Sequence, residues 1–187
     1  MIGFNGGLIG KDRTTTLAAA VGVWTPGEQI KARRTDIWPV IATGYRYIRW
    51  TITAIRTPAS NAVQASEFNL IDGVTNVNMS GATMSADPAG AFGSGDNANN
   101  LKDANTATKW VVNTGATPLP HIITFDMGTV TAFTAYRWAT ANDVEGRDPV
   151  SWTVSGSLDN STFTTLDTET NFATTTSRLT YVGPFTV

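Results

Sequence analysis

Asp103 and Asn105 offer side-chain oxygens two residues apart, and Thr108 adds a hydroxyl to the same stretch. The main-chain carbonyls of Lys102 and Thr108 enlarge the set. Oxygen donors of this kind suit a hard cation such as calcium, which takes about six to eight of them. The same residues also suit a turn closed by hydrogen bonds from short polar side chains to the backbone, with no metal. The sequence leaves both readings open.

Catalytic chemistry finds little support. His121 is the only histidine and there is no cysteine. That removes His-based metal sites, thiolate sites, disulfides and cysteine nucleophiles together. A Ser-His-Asp set would need His121, and no G-x-S-x-G stretch accompanies it. His121 opens a predicted strand and reads as a strand-edge residue. The 15 acidic residues are scattered over turns, and Gly93-Ser94-Gly95 matches no phosphate-binding loop. The chain reads as a protein that is not an enzyme and has no nucleotide cofactor.

The elements that must position these groups are strands. Of the 187 residues, 41% are hydrophobic and only 15% charged, with abundant threonine and aromatics, a balance that favours sheets. The net charge of -2 gives no field for nucleic acid or an anionic membrane. No stretch approaches the length of a membrane span, and the N-terminus lacks the basic start and apolar run of a signal peptide. Strands are predicted at 45–55, 63–71, 121–126, 130–139, 151–157, 162–166 and 178–186. Residues 76–100 read as irregular loop with little strand. Short strands at regular spacing, with no long helical pattern, predict an all-β jelly-roll sandwich over 41–187. Its core would take Trp50, Trp110, Trp138 and Trp152.

Residues 1–40 differ. Gly3, Gly6, Gly7 and Gly10 loosen the start, and Thr25-Pro26-Gly27-Glu28 reads as the opening of a short helix over 26–35. Phe4, Trp24, Ile30, Ile37 and Trp38 are anchors that need a partner surface. This is read as an attachment arm.

Three stretches carry a family resemblance. They are Asn100-Leu101-Lys102-Asp103-Ala104-Asn105-Thr106-Ala107-Thr108-Lys109-Trp110, the run Arg147-Asp148-Pro149-Val150-Ser151-Trp152 continuing to Ser161, and Tyr45 to Trp50 taken with Ala65-Ser66-Glu67-Phe68-Asn69-Leu70. With the strand ending Asp126-Met127-Gly128, they resemble the discoidin-like, or factor five/eight C-type, domains of the galactose-binding superfamily. The resemblance covers about 45–187. It implies a binding fold, and a structural calcium held by Asp103, Asn105 and Thr108 with help from Glu67. Ala104 stands where the family has glycine, which disfavours a positive backbone angle there. Sugar-binding members use loops at one end of the sandwich. Here Phe92, Asn97, Asn99, His121, Asn142 and Asp143 are weak candidates, and none forms a convincing set. Arg147 and Asp148 read as a loop fastening beside a core Trp152.

The strand order departs from the family. The Tyr45 and Glu67 strands usually come last and here come first. The chain resembles a circular permutant, with its opening hairpin closing beside its own final strand. The alternative is strand exchange, in which that hairpin completes a neighbour's sheet.

The stretch from Gly3 to Gly10, with Gly22 to Gln29 and Ile37-Trp38-Pro39, resembles the N-terminal segment of tailed-bacteriophage structural proteins. It implies a virion protein made in the host cytoplasm, attached to other virion proteins through Phe4, Trp24, Ile37 and Trp38. The sandwich would be displayed as a tail-fibre, tip or decoration domain, as a homo-oligomer, against host-surface glycan. A capsid cement protein without glycan ligand, and a carbohydrate-binding accessory module, are the alternatives.

Overall fold

A computed structural model describes residues 44–87, 95–113 and 118–187. The arm, with Phe4, Trp24, Ile37 and Trp38, and the residue Phe92 lie outside the described residues. Eleven strands run in chain order among those described: β1 Tyr45–Ile55, β2 Ala62–Ala65, β3 Glu67–Asp72, β4 Thr75–Asn76, β5 Thr83–Asp87, β6 Trp110–Asn113, β7 His121–Thr131, β8 Ala135–Ala139, β9 Pro149–Ser157, β10 Thr164–Glu169 and β11 Tyr181–Thr186. A five-stranded sheet has the order β10-β9-β1-β7-β5, a four-stranded sheet the order β11-β8-β3-β4, and β2 pairs with β6 alone. Among the described residues the strand pairings are all antiparallel. The result is the expected β-sandwich.

Period-two alternation builds the core. Along β1, Ile48, Trp50 and Ile52 are buried, whereas Tyr47, Arg49 and Thr51 between them are partly exposed. Strand β7 contributes Ile123 and Phe125, and β9 contributes Trp152 and Val154. From the other sheet come Phe68, Leu70, Tyr136 and Trp138. Phe68 stacks on Phe125 at 4.9 Å and lies 5.3 Å from Trp50, so one ring joins the two layers. All four predicted core tryptophans are buried. Each large side chain removed from water contributes roughly 1.5–3 kcal/mol.

A polar chain also crosses the layers. Trp152 Nε1 donates to the Tyr136 hydroxyl at 2.7 Å, and that hydroxyl donates to Asp167 Oδ2 at 2.6 Å. Burial, reinforced by the Asp167 carboxylate, pushes the Tyr136 hydroxyl far above its ordinary titration range.

Several expectations need correction. The opening hairpin does not form. Strand β1 lies between β7 and β9 in one sheet, and β3 pairs with β8 in the other. Neither pairs with β11, although β3 and β11 both flank β8. The single strand predicted at 63–71 is two. At Ser66 the chain changes sheets, held by its N–H to the Ala139 carbonyl at 2.9 Å and its hydroxyl to the Thr140 carbonyl at 2.9 Å. Residues 76–100 are not all loop, because β5 forms the edge of the larger sheet against β7. His121 opens β7 as expected, but it is fully buried, opposite Ile52, with the Trp110 ring edge-on at 6.3 Å. Burial removes it from any ligand surface.

Candidate functional site

Local structure around Asp103 begins with a short 3-10 helix, Ala98–Lys102. The Asn97 side chain caps it by accepting from the Asn99 N–H at 3.0 Å. Leu101 is fully buried and pins the helix to the core. The Asn100 amide donates to the Gly95 carbonyl at 2.7 Å and to the Lys109 carbonyl at 2.6 Å, closing the loop at its neck. The Asn-Leu pair of the motif therefore works as staple and anchor.

Within the loop, two short polar turns follow each other. The Asn105 N–H donates to Asp103 Oδ1 at 2.9 Å, and the Ala107 N–H donates to Asn105 Oδ1 at 3.1 Å. The Thr108 hydroxyl sits 2.7 Å from Asp103 Oδ2 and 2.8 Å from the Asn105 carbonyl. Glu67, from the start of β3, is fully buried beneath and accepts the Asn105 N–H at 2.7 Å. Its other oxygen faces the Asn69 amide at 3.3 Å. Thus Glu67, Asp103, Asn105 and Thr108 converge on one place.

The electrostatics are unusual for a carboxylate. Burial pushes the Glu67 carboxyl up to about 7, the adjacent Asp103 carboxylate adds to the rise, and the Asn105 N–H offsets part of it. Two neighbouring carboxyl groups, one of them buried, favour a shared proton or a cation. The donors are all hard oxygens, which fits calcium. Among the described residues no cluster of three or more His, Cys, Asp or Glu exists, so neutral oxygens would have to complete the shell.

Ala104 sits at φ 61°, the left-handed region that its side chain was expected to avoid. The glycine position of the motif keeps its geometry although the residue has changed. Strain of about 1 kcal/mol follows from the Cβ. Ala104→Gly is therefore expected to stabilise the protein by up to about 1 kcal/mol, less the added freedom of the unfolded chain. Urea denaturation checks it, and an unchanged midpoint would remove the strain argument.

A second loop, 142–148, packs beside the first. Lys109 Nζ lies 2.7 Å from Asp143 Oδ2 and joins them. Burial pushes the Asp143 carboxyl up, but the Lys109 ammonium outweighs it and holds the group below its ordinary range. The buried Gln64 amide donates to the carbonyls of Asp143 at 2.9 Å and Val144 at 3.1 Å. Arg56 donates to the Glu145 carbonyl at 3.1 Å. Asp148, fully buried, receives both arms of the Arg178 guanidinium, with Arg56 at 3.8 Å. Burial pushes the Asp148 carboxyl up, and Arg178 offsets part of that. Arg147 donates to Asn61 Oδ1 at 3.2 Å. Of the weak ligand candidates, Asn142 is exposed and Asp143 is half-buried in its ion pair. Gln64, Arg56 and Arg178 were not singled out from the sequence. They lie far along the chain from the loop they hold, and no local pattern marks them.

The layered strands and the stapled loops at one end define a galactose-binding-like β-sandwich of the ligand-binding type. The F5/8 type C domain matches residues 81–186, and the chain belongs to that family. Such domains are carbohydrate- or ligand-binding modules and are in general non-catalytic. A comparison with curated proteins gives no match to this chain. Among the described residues no helix is long and apolar enough to cross a membrane, which says nothing of a β-barrel.

Proposed function

We propose that this protein is a bacteriophage virion component: residues 1–40 attach it to the particle, and the sandwich is displayed as a tail-fibre, tip or decoration domain that binds host-surface glycan. The observation that carries the binding half is the family membership. The attachment half rests on the first 40 residues, in which Phe4, Trp24, Ile37 and Trp38 are set among loosening glycines. Its partners are other virion proteins and further copies of itself, and many copies offset weak single-site binding through avidity. Immunogold labelling of purified virions tests the location. Particles without label overturn it. Deleting residues 1–40 is expected to leave a folded sandwich that no longer co-purifies with particles.

The Asp103 loop is read as a structural calcium site. Glu67, Asp103, Asn105 and Thr108 would hold the ion, which supplies positive charge to a buried carboxylate and has no catalytic part.

The strand order is read as a permutation within one chain. What supports it is that the family match begins at residue 81, whereas β1 and β3, which precede it, are interior strands of the two sheets. Both ends of the described unit also reach the same turn. A Cβ on Gly44 would lie 2.6 Å from the Thr131 carbonyl, and the Val187 N–H bonds the Thr134 carbonyl at 3.1 Å. A rearranged chain that begins at Gly81 and carries residues 44–80 after Val187 through a short linker is expected to fold. Its stability should lie within about 1 kcal/mol of the parent, since only loop closure changes. A molten or aggregated product by near-ultraviolet circular dichroism would count against the permutation.

A further inference from the structure

The residues of β1 that alternate with its core positions, Tyr47, Arg49 and Thr51, point away from the second layer. Strand register extends this outer face across the larger sheet. One row runs Thr165, Ser155, Arg49, Thr124 and Ser85. The next runs Thr153, Thr51, Ile122 and Asp87. Asp87, Ser85 and Thr165 are exposed, and Arg49, Thr51 and Ile122 are half-exposed, so the face is open to solvent.

The charges on this face are few. Arg46 and Asp126 satisfy each other through two N–H bonds, at 2.8 and 2.9 Å. Arg49 is held differently. Its guanidinium carbon lies 3.6 Å from the centre of the Phe163 ring, and its Nε donates to the Thr124 hydroxyl at 3.3 Å. The stack and the bond orient the fork in advance, and its Nη groups keep donors for an acceptor. Among the described residues no carboxylate pairs with Arg49. Asp87 carries the opposite charge on the same face, two strands over and one row along, about 12 Å away.

We infer that a second copy of this chain covers this face. A two-fold axis lying in the contact plane, over β7 between Ile122 and Thr124, sets Arg49 of each copy against Asp87 of the other. The half-exposed Ile122 then meets its own counterpart at the centre, where an interface gathers apolar area. Arg49, ordered beforehand by Phe163, is the type of anchor that concentrates binding energy. The face is also large enough. Its strands have 6, 9, 11, 11 and 5 residues, and at about 3.3 Å per residue and 4.8 Å between strands they present roughly 670 Å² of plane. Two copies then cover about 1,300 Å², inside the roughly 1,200–2,000 Å² of stable protein contacts. The inference goes beyond the proposed function, because it holds whether or not the protein is part of a particle.

Sedimentation velocity of the full-length protein tests it, in about 50 mM salt and at roughly 1–200 µM. A dimer with a dissociation constant in the micromolar range is expected, as suits an interface at the lower end of that size class. Asp87→Arg and Arg49→Asp should each weaken it at least about tenfold, since each removes two pairs and sets like charges together. Combining the two reversals restores the pairs in the opposite sense and should recover most of the loss. Near-ultraviolet circular dichroism reads the fold of each variant. Arg49→Asp also loses the Phe163 stack; should it unfold, Asp87→Asn and Asp87→Arg at the exposed edge decide, with the arginine variant expected to dimerise more weakly. A chain that stays monomeric to about 200 µM overturns the interface and leaves the particle location to the labelling experiment. A dimer that Asp87→Arg leaves intact is held elsewhere and overturns it too. Folded single variants whose loss the combined reversal fails to recover overturn the two-fold arrangement.

Discussion

Arg178→Ala is expected to lower the unfolding free energy by about 3–5 kcal/mol, the cost of leaving a buried carboxylate without its partner. Asp148 is fully buried, and only 23% of the Arg178 side chain is exposed. An exposed pair would contribute no more than about 1 kcal/mol. The geometry argues for the larger figure, since Arg178 Nη1 also donates to the Asp143 carbonyl at 2.8 Å. Removing it frees a loop as well as a charge. Arg178→Lys keeps the charge but loses the two-armed contact, and should fall between wild type and alanine. Guanidinium denaturation of the three proteins checks the order. A loss below about 1 kcal/mol for alanine would show that water reaches Asp148 freely.

Calcium is expected to stabilise the protein more strongly as pH rises from about 5 to 7.5, because it replaces a proton at Glu67. The sign follows from the shift. Burial pushes the Glu67 carboxyl up to about 7 in the folded chain, from the ordinary 4.5 of an exposed glutamate. In chelator, its contribution to stability is fully present below pH 4.5 and is lost as pH climbs through about 7. The loss is at most about 3 kcal/mol. Calcium at about a hundred times its dissociation constant should restore roughly 2.7 kcal/mol at neutral pH and little at pH 4.5. Glu67→Gln imitates the protonated form, so it should flatten the pH dependence in chelator and abolish the calcium effect. Melting curves with and without chelator across this pH range decide it. Identical curves at pH 7.5 would remove the metal.

Much of this was readable from residue order alone, for a physical reason that also explains the failures. Strand β1 announces itself because its apolar residues alternate with polar ones and its neighbours are aromatic or β-branched. Strand β5 does not, because Thr83, Ser85 and Asp87 point to solvent and only Met84 and Ala86 turn inward. An edge strand can borrow its order from the partner it pairs with, here β7. The switch of sheets at Ser66 leaves no mark either, since its hydrogen bonds go to residues 139 and 140. At the candidate site, Asp103, Asn105 and Thr108 were legible as a short run of oxygens. Glu67 was legible only through the family resemblance. The buried Gln64 and the part-buried Arg178 were not legible as fastenings at all, because what they bind is a carbonyl or carboxylate far along the chain. Ala104 shows the opposite failure. Local preference argued against its backbone angle, and the hydrogen bonds around Asn105 prevailed.

Strand β1 runs from Tyr45, just after Gly44 where the preceding residues join, to Ile55, and it is bonded on both sides by β7 and β9. Its eleven residues span about 36 Å, and the chain before them enters the domain at its first end. A pull on that end against the rest of the domain would act parallel to the strand, so its rungs to β7 and β9 would be loaded in shear together and could not be peeled one after another. A domain entered in this manner resists a steady pull better than one whose first strand peels from a sheet edge.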